Sequence, residues 1–224
     1  MTDYIIISSC SAGKDDSNPI QLGNPLVTPK DYIRDDDLYG KFMAMRESIL
    51  SRPTSQLGSR RTLAFDLYVR KGRAYSKLLK ENYVTAQKIL FDNEVQWFFL
   101  SGGYGIINAL EEAKKYQASF NYNIARSNNI TFTAREWKPF LPPILDGIIE
   151  NYSPQRVYVF GSRDYTDFIK LSENWENDDV IKILESTGSA GVHWLAPKIN
   201  DFFIAMKRNS IEEYDAQYSK FQKQ

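Results

Sequence analysis

The 224-residue chain has one cysteine, one histidine and no formal net charge, its 28 Lys+Arg being balanced by 28 Asp+Glu. A single thiol, Cys10, excludes an internal disulfide, and one Cys with one His (His193) excludes a zinc site made of those ligands. A magnesium site of carboxylates alone stays open, but no pattern marks one, so no metal and no cofactor are expected. No window approaches the roughly 20 apolar residues that a membrane-spanning helix needs. Met1-Thr2-Asp3 leads into a short apolar run without a basic flank, so the expectation is a cytoplasmic, reducing location without a membrane partner. Charge neutrality also argues against a surface that grips nucleic acid over its whole extent.

What is present is an ordinary globular mixture, 42% apolar, with enough length to bury a substantial core. Charge is uneven locally. Between positions 60 and 80, Arg60, Arg61, Arg70, Lys71, Arg73, Lys77 and Lys80 are opposed only by Asp66, whereas Glu173, Glu176, Asp178, Asp179 and Glu185 are opposed only by Lys182. The basic segment also holds Phe65, Tyr68 and Tyr75. Cations interleaved with aromatics suit a single-stranded nucleic acid, with Arg70, Lys71, Arg73 and Lys77 as the contacts; the alternative, which the pattern favours, is a solvated helix with its rings in the core.

Short apolar runs ended by small residues read as buried strands: Tyr4 to Ser9, Val95 to Leu100 before Ser101-Gly102-Gly103, and Arg156 to Phe160 before Gly161-Ser162. Val180 to Leu184 fits a fourth strand or a short helix. Three- and four-residue spacing predicts helices over Tyr39 to Leu50, Leu63 to Leu79, Val84 to Phe91, Thr133 to Tyr152, Tyr165 to Leu171, Val192 to Met206 and Ser210 to Phe221. Asn18 to Pro29 is the long loop. Strands separated by helices predict an α/β fold with a largely parallel or mixed central sheet flanked by helices. It forms a single domain over 1–224, with the helices from about 190 packing on the core.

In such sheets ligands bind beyond the carboxyl ends of the strands. The loops there bring Cys10, Ser11 and Lys14, then Ser101, Gly102, Gly103 and Tyr104, then Ser162 and Asp164 toward one rim. Ser8 to Asp15 departs from a phosphate loop at its first glycine and its final hydroxyl. Ser11-x-x-Lys14 lacks the companion motifs of penicillin-binding enzymes, and Gly103-x-Gly105 lacks the third glycine of a dinucleotide fingerprint. Lys14 is the leading chemical candidate, because desolvation at a buried strand end turns an amine into a nucleophile or base. The alternative is a surface lysine paired with Asp15 or Asp16. Asp164 would orient Lys14 or cap a helix. The glycines would offer N–H donors to an anion or simply make a tight turn.

Ile5-Ile6-Ile7-Ser8-Ser9-Cys10-Ser11-Ala12-Gly13-Lys14, Asp66-Leu67-Tyr68, Leu100-Ser101-Gly102-Gly103-Tyr104-Gly105-Ile106-Ile107, Tyr116 and Ser162-Arg163-Asp164-Tyr165 follow one another in an order that resembles the peroxide-stress protein YaaA family, and especially its small relatives with a Cys-Ser-x-x-Lys motif. The blocks cover about a third of the chain. The resemblance implies an α/β fold, protection from peroxide damage and association with DNA; the helix-hairpin-helix signature of the bacterial protein is missing here. Cys10-Ser11-x-x-Lys14 is also similar to a motif of the archaeosine synthase group, which transfers lysine onto a deazaguanine base in tRNA. The expected function is therefore nucleobase or nucleoside handling, free or in nucleic acid. Lys14 and Asp164 would act at the reacting atoms, and Cys10, Ser11, Ser101, Gly102, Gly103, Tyr104 and Ser162 would bind. A non-catalytic anion- or nucleic-acid-binding module is the alternative.

Overall fold

Three consecutive isoleucines make the centre of the molecule. β1 (Tyr4–Ser9) pairs in parallel with β3 (Val95–Ser101) on one side and β8 (Arg156–Ser162) on the other, and Ile5, Ile6 and Ile7 are fully buried. Side chains alternate across a strand, so the run must be apolar on both faces, and both faces are covered. Ile6, Trp97, Phe99, Tyr158 and Phe160 belong to one core cluster, whereas Ile5, Ile7, Phe98, Leu100, Val157 and Val159 belong to the other.

The computed structural model describes residues 3–21, 23–24, 26–171, 180–186 and 191–218, with the backbone alone at 186 and 191–193. Its five-stranded sheet has the order β4-β3-β1-β8-β9, with β4 at Gly105–Asn108 and β9 at Ile181–Ser186. All neighbours are parallel except β3 and β4, which form a hairpin. The first face carries α3 (Ala64–Val69), α4 (Ser76–Glu81), α5 (Tyr83–Phe91), α10 (Gly191–Arg208) and α11 (Ile211–Tyr218); the second carries α1 (Pro29–Tyr32), α2 (Asp36–Leu50), α8 (Leu141–Tyr152) and α9 (Arg163–Ile169). Smaller pieces lie outside the sheet: β2 (Arg61–Leu63) with β5 (Glu112–Lys114), β6 (Ala118–Ser119) with β7 (Thr131–Phe132), α6 (Tyr122–Asn128) and α7 (Ala134–Trp137). The fold is thus α/β with a mixed sheet between helical layers. Leu195, Ile199, Phe202 and Phe203 of α10 are buried in the first core.

Where local pattern was ambiguous, tertiary context decides. Residues 181–186 are a strand because β8 gives them a parallel partner. Leu63 to Leu79 is not one helix. β2 and α3 are followed by a turn of 3₁₀ helix at Arg73–Tyr75 and then α4. The break is at Gly72, whose neighbours Tyr68 O and the Tyr75 ring leave no room for a Cβ. Pro139 separates α7 from α8, and Pro142 and Pro143 occupy the first turn of α8, where a missing N–H costs nothing. The acidic residues Glu173, Glu176, Asp178 and Asp179, the side chain of His193 and positions 219–221 of the last predicted helix lie outside the described residues.

From β1 the chain proceeds to β3 on one side, and from β8 it proceeds to β9 on the other. The connections diverge between β1 and β8, the place in an open parallel sheet where strand-end loops part and leave a crevice. Cys10 follows β1 and Tyr165 lies on α9 just after β8.

Candidate functional site

The loop after β1 is pressed onto α3. Gly13 lies so close to the Lys71 carbonyl that a Cβ would stand 2.7 Å from its oxygen, so only glycine permits the approach. The Asp15 N–H then donates to the Leu67 carbonyl (2.9 Å), Thr62 Oγ1 donates to the Asn18 carbonyl (2.5 Å), and Asn18 Nδ2 donates to Asp66 Oδ2 (2.5 Å). Buried Asp66 also accepts a hydrogen bond from the Tyr83 hydroxyl. Held at both sides, the loop turns Lys14 inward, and the residue is 6% exposed.

Lys14 Nζ stands 4.3 Å from the centre of the Tyr116 ring, a cation–π distance. Asp15 pairs with Arg70 (3.8 Å) rather than with Lys14, and among the described residues no carboxylate or hydrogen-bond acceptor engages the amine. Nor is Nζ sealed: the fully enclosed side-chain polar atoms without a hydrogen bond are Arg70 Nε and Arg156 Nε among the described residues. Burial pushes the Lys14 pKa below the ordinary lysine value, and Lys115 pushes in the same direction while an ionised Cys10 would oppose.

Beneath the amine is a network of hydroxyls. Ser101 Oγ lies 2.6 Å from the Tyr116 hydroxyl, and the Tyr68 hydroxyl lies 3.2 Å from each of them. The Tyr116 hydroxyl donates to Cys10 Sγ at 3.6 Å, and the Tyr165 hydroxyl lies 3.8 Å from the same sulfur. Burial holds Tyr68, Tyr116 and Tyr165 well above the usual phenol pKa, so at neutral pH all three remain protonated donors. Under β1, Ser8 Oγ accepts from Trp97 Nε1 (2.7 Å) and the Tyr75 hydroxyl (3.0 Å), tying strand and 3₁₀ turn together.

Cys10, Lys14 and Ser101 are therefore brought together from β1, its loop and β3. Ser11 is half-buried beside Gly72, whose Cβ would stand 3.0 Å from that of Ser11. Ser162 ends β8 and precedes α9 without a side-chain capping bond. Three expected roles do not fit their surroundings. Tyr104 is 6% exposed, edge-on to Tyr116 at 5.3 Å, with its hydroxyl between the Lys114 N–H (2.7 Å) and carbonyl (3.2 Å). It is a wall of the core rather than a stacking surface. Gly102 and Gly103 are buried in the β3–β4 turn against the Ala118 backbone and the Tyr116 ring, and the Gly102 carbonyl accepts from Thr133 Oγ1 (2.7 Å) and Trp137 Nε1 (2.9 Å). Close packing explains both glycines without a ligand. Asp164 is exposed, accepts from Asn121 Nδ2 at 2.6 Å and is not among the groups acting on Lys14.

In the basic segment Phe65, Tyr68 and Tyr75 are all within 1% of complete burial, so their rings face the core and offer no stacking platform. Lys71 and Arg73 are exposed, while Arg70 meets Asp15 (3.8 Å) and Lys77 meets Asp201 (3.7 Å). Of the four cations expected to bind phosphate, two are thus exposed and two face a carboxylate.

Sequence reasoning did not find the site's supports. Arg46 of α2 and Glu111 form a buried ion pair; Arg46 also donates to the Tyr104 carbonyl (3.2 Å) and the Ile106 carbonyl (2.7 Å), and the Tyr32 hydroxyl donates to Glu111 (2.9 Å). The pair fixes the β3–β4 hairpin from behind. Arg46 stands among the apolar positions of a helical stripe, and a cation there needs a buried partner, which is the signal that was present. Among the described residues no cluster of three or more His, Cys, Asp or Glu side chains is placed to hold a metal ion. No helix among them is long and apolar enough to cross a membrane. The sequence matches no model of a known protein family and no curated protein.

Proposed function

We propose that this is a YaaA-like protein whose strand-end site handles a nucleobase or nucleoside, free or within a nucleic acid, with Lys14 as nucleophile or base. On the same resemblance its task belongs to protection against oxidative damage. The observation that carries the reading is Lys14 itself. An amine 6% exposed, without a carboxylate partner among the described residues and with its pKa lowered by burial, is poorly suited to stabilising the fold and well suited to chemistry. Ser101, Tyr116 and Cys10 supply hydroxyl and thiol groups around it.

In the sugar-directed form of this reaction the neutral Nζ attacks C1′ of an abasic aldehyde, and the C–O bond is lost as water to give an imine. With an intact nucleoside the bond to the base breaks first, the base leaving with its electron pair and one amine proton, and the C1′–O4′ ring bond then opens, its oxygen taking the second amine proton, to give the imine. Borohydride reduces either imine to a stable amine. Incubation with abasic oligonucleotide or with nucleosides under borohydride is expected to add the mass of the abasic strand or of the nucleoside's sugar, respectively, to wild type at Lys14 and nothing to Lys14→Ala. Absence of adduct in wild type removes the imine mechanism.

A binding module without turnover draws on a different observation, that Lys115 adds a second positive charge acting on Lys14. Two amines favour an anionic ligand. Retained binding of oligonucleotide by a protein that forms no product decides for this reading.

A further inference from the structure

Cys10 is surrounded by more polar chemistry than a core thiol requires. Its N–H donates to the Leu100 carbonyl (2.8 Å), which fixes it between β1 and β3, and its sulfur lies within reach of two buried hydroxyls, Tyr116 (3.6 Å) and Tyr165 (3.8 Å). These phenols come from separate segments of the chain, one from the segment after β5 and one from α9. Lys14 is anchored over the Tyr116 ring at 4.3 Å, so amine and sulfur share that tyrosine, one at its face and the other at its hydroxyl. Two protonated phenols, Tyr116 and Tyr165, thus face the sulfur, and the amine over the Tyr116 ring has no acidic partner among the described residues.

We propose that Cys10 is a nucleophile of this site, that Lys14 is the base that takes its proton, and that the substrate presents an electron-poor unsaturated carbon conjugated to a carbonyl or imine. The sulfur forms a bond to that carbon, and the π pair moves to the carbonyl or imine heteroatom. The thiol proton passes to Lys14 Nζ and from there to the substrate carbon, leaving a thioether and a neutral amine. No oxidant, metal or further reactant enters. The Tyr116 and Tyr165 hydroxyls donate to sulfur as its negative charge develops, and a soft carbon electrophile is the class a thiol favours over the hydroxyls nearby. The inference uses the reading above only in needing Lys14 unprotonated; it requires no imine with a sugar.

Because the chain has one cysteine, any thiol adduct reports Cys10 alone. The probe is N-ethylmaleimide, a conjugated acceptor, followed by intact mass on the folded full chain between pH 6 and 9. Wild type is expected to react about tenfold or more faster than Lys14→Met at pH 7. Lys14→Arg, which keeps a cation that cannot accept a proton in this range, is expected to be as slow as Lys14→Met. Wild type is expected to hold its rate to lower pH than either variant, whose rates follow ordinary thiol ionisation, and Tyr165→Phe is expected to react more slowly while keeping the wild-type profile. Thermal melts establish that each variant is folded. If Lys14→Met is not, the Lys14→Arg and Tyr165→Phe arms and the wild-type profile carry the comparison. Equal rates and profiles in wild type and Lys14→Arg, or a wild-type thiol that reacts only after unfolding, overturn the proposal. A borohydride experiment without adduct alongside a positive maleimide result removes the imine mechanism and leaves Cys10 standing; the opposite pair of results removes Cys10 and leaves Lys14.

Discussion

Ser101 Oγ and the Tyr116 hydroxyl lie 2.6 Å apart, one at the end of β3 and the other below the Lys14 amine. Their hydrogen bond couples the sheet to the candidate chemistry. Tyr116 can present its ring to Lys14 and its hydroxyl to Cys10 only while Ser101 and Tyr68 hold it in place.

Ser101→Ala removes a partner from Tyr68, Tyr116 and the Tyr104 N–H, while the two phenols keep each other. The expected loss is about 1–3 kcal/mol. Urea unfolding should show it as a lower midpoint with an unchanged slope, and maleimide should modify Cys10 more slowly.

Arg46 and Glu111 are each 6% exposed along their side chains. Glu111→Ala leaves a buried guanidinium without its anion, at a cost of about 3–5 kcal/mol. Replacing both, as Arg46→Met with Glu111→Leu, is expected to recover part of that loss. A double-mutant cycle in denaturant measures the recovery; equal losses in the single and double variants would argue that the pair is not what holds the hairpin.

The lowered Lys14 pKa has a signature in stability. Between the folded value and the ordinary value of 10.5, the unfolded chain binds a proton at this residue and the folded chain does not. Stability from this group therefore rises with pH across that window and is lost as pH falls through it, levelling off below the folded pKa. The stability of Lys14→Met relative to wild type is expected to be greatest at low pH and to decline as pH approaches 10.5. A pH-independent difference would contradict the burial argument.

Three strands of the sheet were legible because their central residues are buried. Tyr4 to Ser9, Val95 to Ser101 and Arg156 to Ser162 are apolar on both faces, which no exposed loop imitates. β4 was not legible. Gly105-Ile106-Ile107-Asn108 is a strand because the hairpin sets Ser101 opposite Gly105 and Trp137 packs on that glycine, and neither partner is local. The same holds at the site. Cys10, Lys14 and Ser101 could be found because they end a strand or lie in the loop that follows one, whereas Tyr68, Tyr116 and Tyr165 reach Cys10 or its neighbours from three separate segments. Their roles as hydroxyl donors depend on distances that only the fold supplies. The aromatic residues of the basic segment show the converse, since their helical spacing described a core face.

Lys71 and Arg73 are exposed. If the chain associates with nucleic acid, its affinity must fall as salt rises, and each phosphate left without its cation should lower the slope of log affinity against log salt by about 0.7–0.9. Lys71→Ala with Arg73→Ala is expected to reduce that slope by roughly twice this amount while leaving borohydride trapping of a free nucleoside unchanged. Titration of single- and double-stranded oligonucleotides at two salt concentrations checks this.

The central claim is that Lys14 is a chemically competent amine at the strand ends. Borohydride trapping with an abasic oligonucleotide, followed by peptide mass mapping, tests it most directly. The account predicts a sugar adduct on Lys14 that disappears in Lys14→Ala, while a mass change confined to surface lysines such as Lys71, with Lys14 unmodified, would contradict it.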